Sequence, residues 1–143
     1  MDLALNGYSQ MMSEPISDLK MMISGMEPVL NDGVYVYTSV PHGTDTSGID
    51  SVAVIREVEG VTLVVSEELA LQNELPVLFR CSWITLKVHS DLNACGLTAA
   101  FSKALSDEEI SCNVVAGAYH DHVFVPVALK DKALLTLKQL QNI

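Results

Sequence analysis

Trp83-Ile84-Thr85-Leu86-Lys87-Val88-His89, then a loop over Asp91 to Gly96, then the run from Leu97 to Leu105, decides how this chain folds. In the first stretch Ile84, Leu86 and Val88 fall on one side of an extended backbone, and Thr85, Lys87 and His89 on the other. That is the period of a half-buried strand. After Gly96 the period changes. Leu97, Ala100, Phe101, Ala104 and Leu105 recur at the three- and four-residue spacing of a helix with one buried stripe. A strand, a short glycine-ended loop and a helix therefore open the C-terminal half.

Working downstream, Cys112–Ala118 and Val123–Val127 read as strands around a Tyr119-His120-Asp121-His122 turn. Lys130–Leu140 returns as a helix with Ala133, Leu134, Leu137 and Leu140 inward. The order strand–helix–strand–strand–helix supplies five of the six elements of the βαββαβ, ferredoxin-like plan, and only the last strand is missing. An open sheet edge invites aggregation, so a strand from the N-terminal half is expected to cover it.

Upstream, Leu19, Met22, Ile23 and Met26 place a helix over Ser17–Met26, and Pro28, Asn31, Asp32 and Gly33 stop it and turn the chain. Val34–Val40 reads as a strand and is the candidate to complete the C-terminal unit. The Gly/Thr/Ser/Asp-rich stretch Pro41–Asp50 is a surface loop. Val52–Val58 and Val61–Val65 form a hairpin at Glu59-Gly60. Ser66 caps a short helix whose first turn carries Glu67 and Glu68. The expected division is a loose leader over 1–14, a first unit over 15–81 and a second over 82–143. The fold class is α+β, with two interleaved ferredoxin-like units and antiparallel sheets.

Composition narrows the function. Nearly half of the 143 residues are hydrophobic, enough for a real core, and eighteen acidic against eight basic residues give a net charge of −10. That charge repels nucleic acid and anionic membrane surfaces, and no Lys/Arg cluster offsets it. Met1–Met12 lacks the pattern of a secretory signal, and no apolar run reaches membrane-spanning length. The three cysteines form no CxxC pair, so neither a disulfide framework nor a zinc knuckle is implied. A cytoplasmic address follows.

The segments WITLKVHSDLNACGLTAAFSKAL (83–105) and ISCNVVAGAYHDHVFVPV (110–127), with REVEGVTLVV (56–65), resemble small stand-alone bacterial ACT-type proteins. The resemblance covers nearly all of Ser17–Leu140. It implies βαββαβ units that bind amino acids or related metabolites where two units meet, a homo-oligomer, and a regulatory role rather than catalysis. The family's loop signal is matched by Asn93-x-x-Gly96-Leu97, and its second-strand signal by Asn113-Val114; the usual proline before the glycine is replaced by Cys95. The ligand residues so implied are Asp91, Asn93, Ala94, Gly96, Leu97, Asn113 and Val114. Physical chemistry agrees with such a site. Glycine permits close backbone approach, the first turn of a helix offers free N–H groups to a carboxylate, and an asparagine amide both donates and accepts. The plainer alternative is that Gly96 eases a tight turn and Asn113 caps it. The loop and Asn113 fall at opposite ends of one unit, so a ligand touching both lies between two units.

Other clusters carry less. His120, Asp121 and His122 suggest a metal, with His89 as a third imidazole, but no fixed ligand set is apparent and a metal-free turn is expected. Cys95 at a helix start has the setting of a low-pKa thiol, yet no base and orienting group accompany it. Glu57 and Glu59 read as a solvated turn. No phosphate-binding or dinucleotide-binding glycine motif occurs, and no cofactor is expected. The sequence points to an amino-acid sensor acting through self-assembly or a protein partner, with a ligand-free assembly module as the alternative.

Overall fold

The longest strand runs from Phe79 to Lys87, and everything else is arranged along it. The structure, a computed structural model, describes residues 18–142; the loose leader expected over 1–14 lies outside the described residues. In chain order the elements are α1 (Leu19–Gly25), β1 (Glu27–Leu30), β2 (Tyr35–Val40), β3 (Ser51–Arg56) and β4 (Val61–Ser66). They continue with α2 (Glu67–Gln72), β5 (Phe79–Lys87), α3 (Leu97–Asp107), β6 (Asn113–Ala116), β7 (Asp121–Pro126), a 3-10 turn (Val127–Leu129) and α4 (Lys130–Gln141).

All strands join one antiparallel sheet in the order β3-β4-β2-β5-β7-β6, with β1 beside β5. One edge of β5 is divided. Tyr35, Val36 and Tyr37 of β2 pair with Cys81, Arg80 and Phe79, while Glu27 to Leu30 of β1 pair with Lys87 to Ile84. The other edge pairs with β7 from Cys81 to Leu86. The second unit is thus β5–α3–β6–β7–α4–β1, and the first is β2–β3–β4–α2 closed by the start of β5. Two ferredoxin-like units share one strand, and the 81/82 boundary read from the sequence falls inside it.

Two corrections to the sequence reading follow. The strand beside the C-terminal part of β5 is Glu27–Leu30, not Val34–Val40, whose residues from Tyr35 onward pair with β4 and with the start of β5. Pro28 hid this strand, because proline normally argues against a ladder; β1 pairs only with β5, and an edge strand tolerates a residue without an N–H. Asp121 and His122, expected in the turn, are the first residues of β7.

The helices of the described residues lie on one side of the sheet. Ile84 and Leu86 of β5, with Val123 and Val125 of β7, meet Met22 and Met26, Phe101 and Leu105, and Ala133 and Leu137 in a single buried cluster. Full burial of each large member contributes about 1.5–3 kcal/mol. Val36, Leu63 and Val65 pack with Ala70 of α2 on the same side. The α2 helix has the expected cap, Leu69 N–H donating to Ser66 Oγ at 3.2 Å. Arg80 ties it to β5 through Glu67, an exposed pair that contributes little.

Among the described residues the other side of the sheet carries no helix, and it is aromatic. Tyr35 meets Trp83 edge-on at 5.2 Å, and Trp83 stacks on Phe124 at 6.3 Å. Val64, Cys81 and Phe124 are buried beneath these rings. The first unit has a loop, 41–50, where the second has α3. Only the second unit therefore presents a helix start at the end of its first strand.

That start needs glycine. Gly96 sits at φ 103°, and a Cβ there would meet Leu19 Cδ2 at 3.0 Å. The Gly96→Ala variant is expected to lose about 1–3 kcal/mol through left-handed strain and displacement of Leu19, read as a lower urea midpoint with unchanged m-value. The shared strand has its own test. Residues 82–143 expressed alone lack β1 and the α1 methionines, and are expected to aggregate. A soluble, monomeric, cooperatively unfolding fragment would show that β1 is dispensable.

Candidate functional site

The loop after β5, the start of α3 and the start of β7 enclose a cavity of about 270 Å³. Of the residues implied by the sequence, Asp91, Ala94, Gly96 and Leu97 line it; Asn93, Asn113 and Val114 do not. Asn93 instead shapes the loop, its N–H donating to Asp91 Oδ1 at 2.8 Å, while Ala94 N–H donates to the Asp91 carbonyl at 2.8 Å. Asn113 stands opposite Phe124, at the far end of β6 and on the helix-free side of the sheet. One chain does not bring Asn113 and the loop together.

The α3 helix begins without a side-chain cap, and its first internal bond is Ala100 N–H to the Gly96 carbonyl at 2.9 Å. The N–H groups of Leu97, Thr98 and Ala99 precede that bond and have no carbonyl in the helix to donate to. They carry the positive end of the 11-residue helix. The space over Gly96 itself is filled by Leu19, so a side chain of this molecule, not a ligand, makes the close approach there.

Ala116 and Asp121 complete the lining. Asp121 lies opposite Leu86 and shares the helix side of β7 with Val123 and Val125, which makes it a carboxylate at a core position, 8% exposed. Burial holds its pKa above the ordinary carboxylate value, against the opposing influence of His122 and His120. The sequence reading weighed Asp121 only as a metal ligand. The signal that marks it is strand alternation: Asp121, Val123 and Val125 are one face.

The histidines divide differently. Successive residues of a strand point to opposite faces, so Asp121 and His122 diverge. His122 turns to the aromatic side, where Trp83 Nε1–H donates to its Nδ1 at 3.0 Å and Thr85 Oγ1 lies 3.3 Å from the same nitrogen. Asn31 Nδ2 donates to Thr85 Oγ1 at 2.9 Å, which ties the residue after β1 into the network. The His89 ring lies 5.4 Å from that of Tyr119. Among the described residues no group of three or more His, Cys, Asp and Glu side chains is arranged to hold a metal ion. Burial pushes the Cys112 thiol up to about 11, and Cys95 is exposed on the loop. No described helix is long and apolar enough to cross a membrane.

The His122 network predicts a pH dependence. Burial, then His120, holds the pKa of His122 below its ordinary value, with Asp121 opposing. Below about pH 6.5 the unfolded chain takes up a proton that the folded ring resists, so stability falls as pH falls through that range. Urea unfolding from pH 7.5 to pH 5.5 should show this slope in the wild type and a shallower one in His122→Gln.

The geometry has counterparts in known proteins. One ACT-domain family model matches residues 14–82 and a second matches 78–139; their overlap falls at the start of β5. A solved protein of unknown function from Vibrio cholerae, described as a possible transport protein, is 41% identical, with 86% of this chain and 95% of that one covered and a TM-score of 0.79. The chain is also similar in fold to a protein from Agrobacterium tumefaciens at 16% identity, with 81% and 89% of the two chains covered and a TM-score of 0.65. The regulatory subunit of aspartate kinase from Thermus flavus shares the fold at 10% identity, with 80% and 96% covered and a TM-score of 0.58. No curated protein matches the chain. With a family model on each half and a relative of this identity along most of its length, the chain belongs to the ACT-domain family and carries two ACT domains.

Proposed function

We propose that this protein is a stand-alone regulatory module that binds an amino acid or related small metabolite and acts through its own assembly or a protein partner, without catalysis. The observation that carries the reading is the uncapped start of α3 opening on a cavity of about 270 Å³. That volume lies just under the range of drug-sized pockets and suits a small metabolite. The shared fold of the Thermus flavus aspartate kinase regulatory subunit supports the regulatory half of the proposal.

Two copies complete the module. The β6 strand is an edge of the sheet, and Asn113 and Val114 lie on it. Antiparallel pairing of β6 with β6 of a second copy carries Val114, on the helix side, toward the end of the strand where the second copy's Ala116 lines its cavity, and leaves Asn113 on the opposite face. Three free cysteines, Cys81, Cys95 and Cys112, suit a reducing cytoplasm. Leu19 over Gly96 favours the second reading, a ligand-free assembly module, because it gives the glycine a packing role.

Calorimetry separates the readings. Titration with each of the twenty amino acids is expected to give binding to at least one; Asn113→Ala weakens it by about 1–3 kcal/mol if the ligand touches the face of β6 that carries Asn113, and leaves it unchanged if the ligand sits in the cavity beside Ala116. Light scattering at micromolar concentration should give at least a dimer; a mass near 15.5 kDa would refute the assembly. A dimer that binds none of the twenty is the assembly module.

A further inference from the structure

The first unit has a cavity of its own, away from the start of α3. Tyr35, Asp50, Val52, Leu69 and Trp83 line about 320 Å³ where β2 and β3 begin and β4 ends. The two rings stand edge-on, with their planes at 87° and their centroids 5.2 Å apart. The polar end of each ring is engaged elsewhere. The Tyr35 hydroxyl donates to the Asp32 carbonyl at 3.1 Å, and Trp83 Nε1–H donates to His122 Nδ1 at 3.0 Å. What the rings offer the cavity is carbon and π surface, held in place by those hydrogen bonds.

The remaining polar groups set the sign of what this cavity takes. Ser66 Oγ accepts the Leu69 N–H at 3.2 Å, and Ser51 Oγ donates to the Ile49 carbonyl at 3.3 Å, so both hydroxyls serve the fold. Asp50 is exposed and, among the described residues, takes part in no ion pair. No lysine, arginine or histidine is among the described residues that line the cavity. A second hollow, of about 370 Å³, adjoins it across Tyr35 and Ser66 and adds Asp32, Glu67 and Glu68. Among the described residues only Glu67 of these three has a basic partner, Arg80. An anion is repelled by these carboxylates and by a chain charge of −10. A cation is drawn to the face of an aromatic ring, and a carboxylate beside the ring adds to the attraction.

We propose that this cavity binds a small organic cation without a carboxylate, an aliphatic amine or quaternary ammonium compound, its charged group against Tyr35 and Trp83 and beside Asp50. The rings supply π surface, Asp50 supplies the countercharge, and Val52 and Leu69 take the methylene or methyl groups. The site is independent of the sensor reading. It belongs to the first unit and takes a ligand of a different charge pattern, so either can fail alone.

Trp83 is the only tryptophan in the chain, so its fluorescence reports on this cavity directly. The full chain is titrated at low ionic strength with choline and with 1,4-diaminobutane, and at least one of the two is expected to change the emission saturably. The uncharged analogues, 3,3-dimethyl-1-butanol and 1,4-butanediol, are expected to bind about tenfold more weakly than the cation each mimics. Asp50 is exposed, so Asp50→Asn keeps the fold; it is expected to weaken the cation by about tenfold. Tyr35→Phe keeps the ring and the affinity, whereas Tyr35→Leu removes the ring and weakens binding by at least as much as Asp50→Asn. No saturable change with either amine overturns the proposal. Equal binding of a cation and its uncharged analogue does so too, as does an affinity that Asp50→Asn leaves unchanged. Each of these outcomes leaves the binding of amino acids, read by calorimetry, where it stood.

Discussion

The division of one strand edge between two neighbours is the constraint on which the rest depends. The β5 strand has nine residues, and its length lets β2 take the first three positions and β1 the last four. Between the two, the Trp83 carbonyl accepts the Asn31 N–H at 2.9 Å, one residue past β1. The cost is that the two ACT units are not separable: the end of the first is the beginning of the second, and the strand that closes the second unit comes before the first unit starts.

The sheet's two faces do different things as a result. The helix side holds the apolar side chains of β5 and β7 under α1, α3 and α4, a conventional buried layer. Among the described residues the opposite side is covered by its own rings, which pack edge-on and offset in the geometries that add about 0.5–1.5 kcal/mol per pair. His122 belongs to that aromatic side, one residue from a carboxylate on the other. A His-Asp-His sequence that looks like a ligand cluster is therefore split by the pleat into two environments.

The candidate site is a product of the same asymmetry between units. In the second unit the chain leaves β5 through a glycine with positive φ and enters a helix whose first N–H groups are free. In the first unit the corresponding connection, 41–50, is a loop with no helix start. Two copies of one plan thus give, among the described residues, one helix start at the end of a unit's first strand, and Leu19 from α1 covers the glycine there. Leu19 packing and the mouth of the cavity share this small region, so Gly96 alone does not decide between a binding and an assembly role.

Periodicity determined most of the secondary structure, and the resemblance of three segments gave the family. The alternation of Ile84, Leu86 and Val88, and the stripe through Leu97, Phe101 and Leu105, each report a single buried face, and burial on one face is a local property of a strand or helix. The cap at Ser66 and the loop at Asp91–Gly96 are legible for the same reason, since each uses neighbours within a few residues. Strand pairing is not local. Nothing in Glu27-Pro28-Val29-Leu30 announces that it will lie against residues more than fifty positions away, and Pro28 argues the other way. The meeting of Asp121 with the start of α3, and the separation of Asp121 from His122, likewise required the register of β7 on β5. Sequence spacing states which residue types are available; only the sheet's register and the packing of α3 across it decide which of them face the same space.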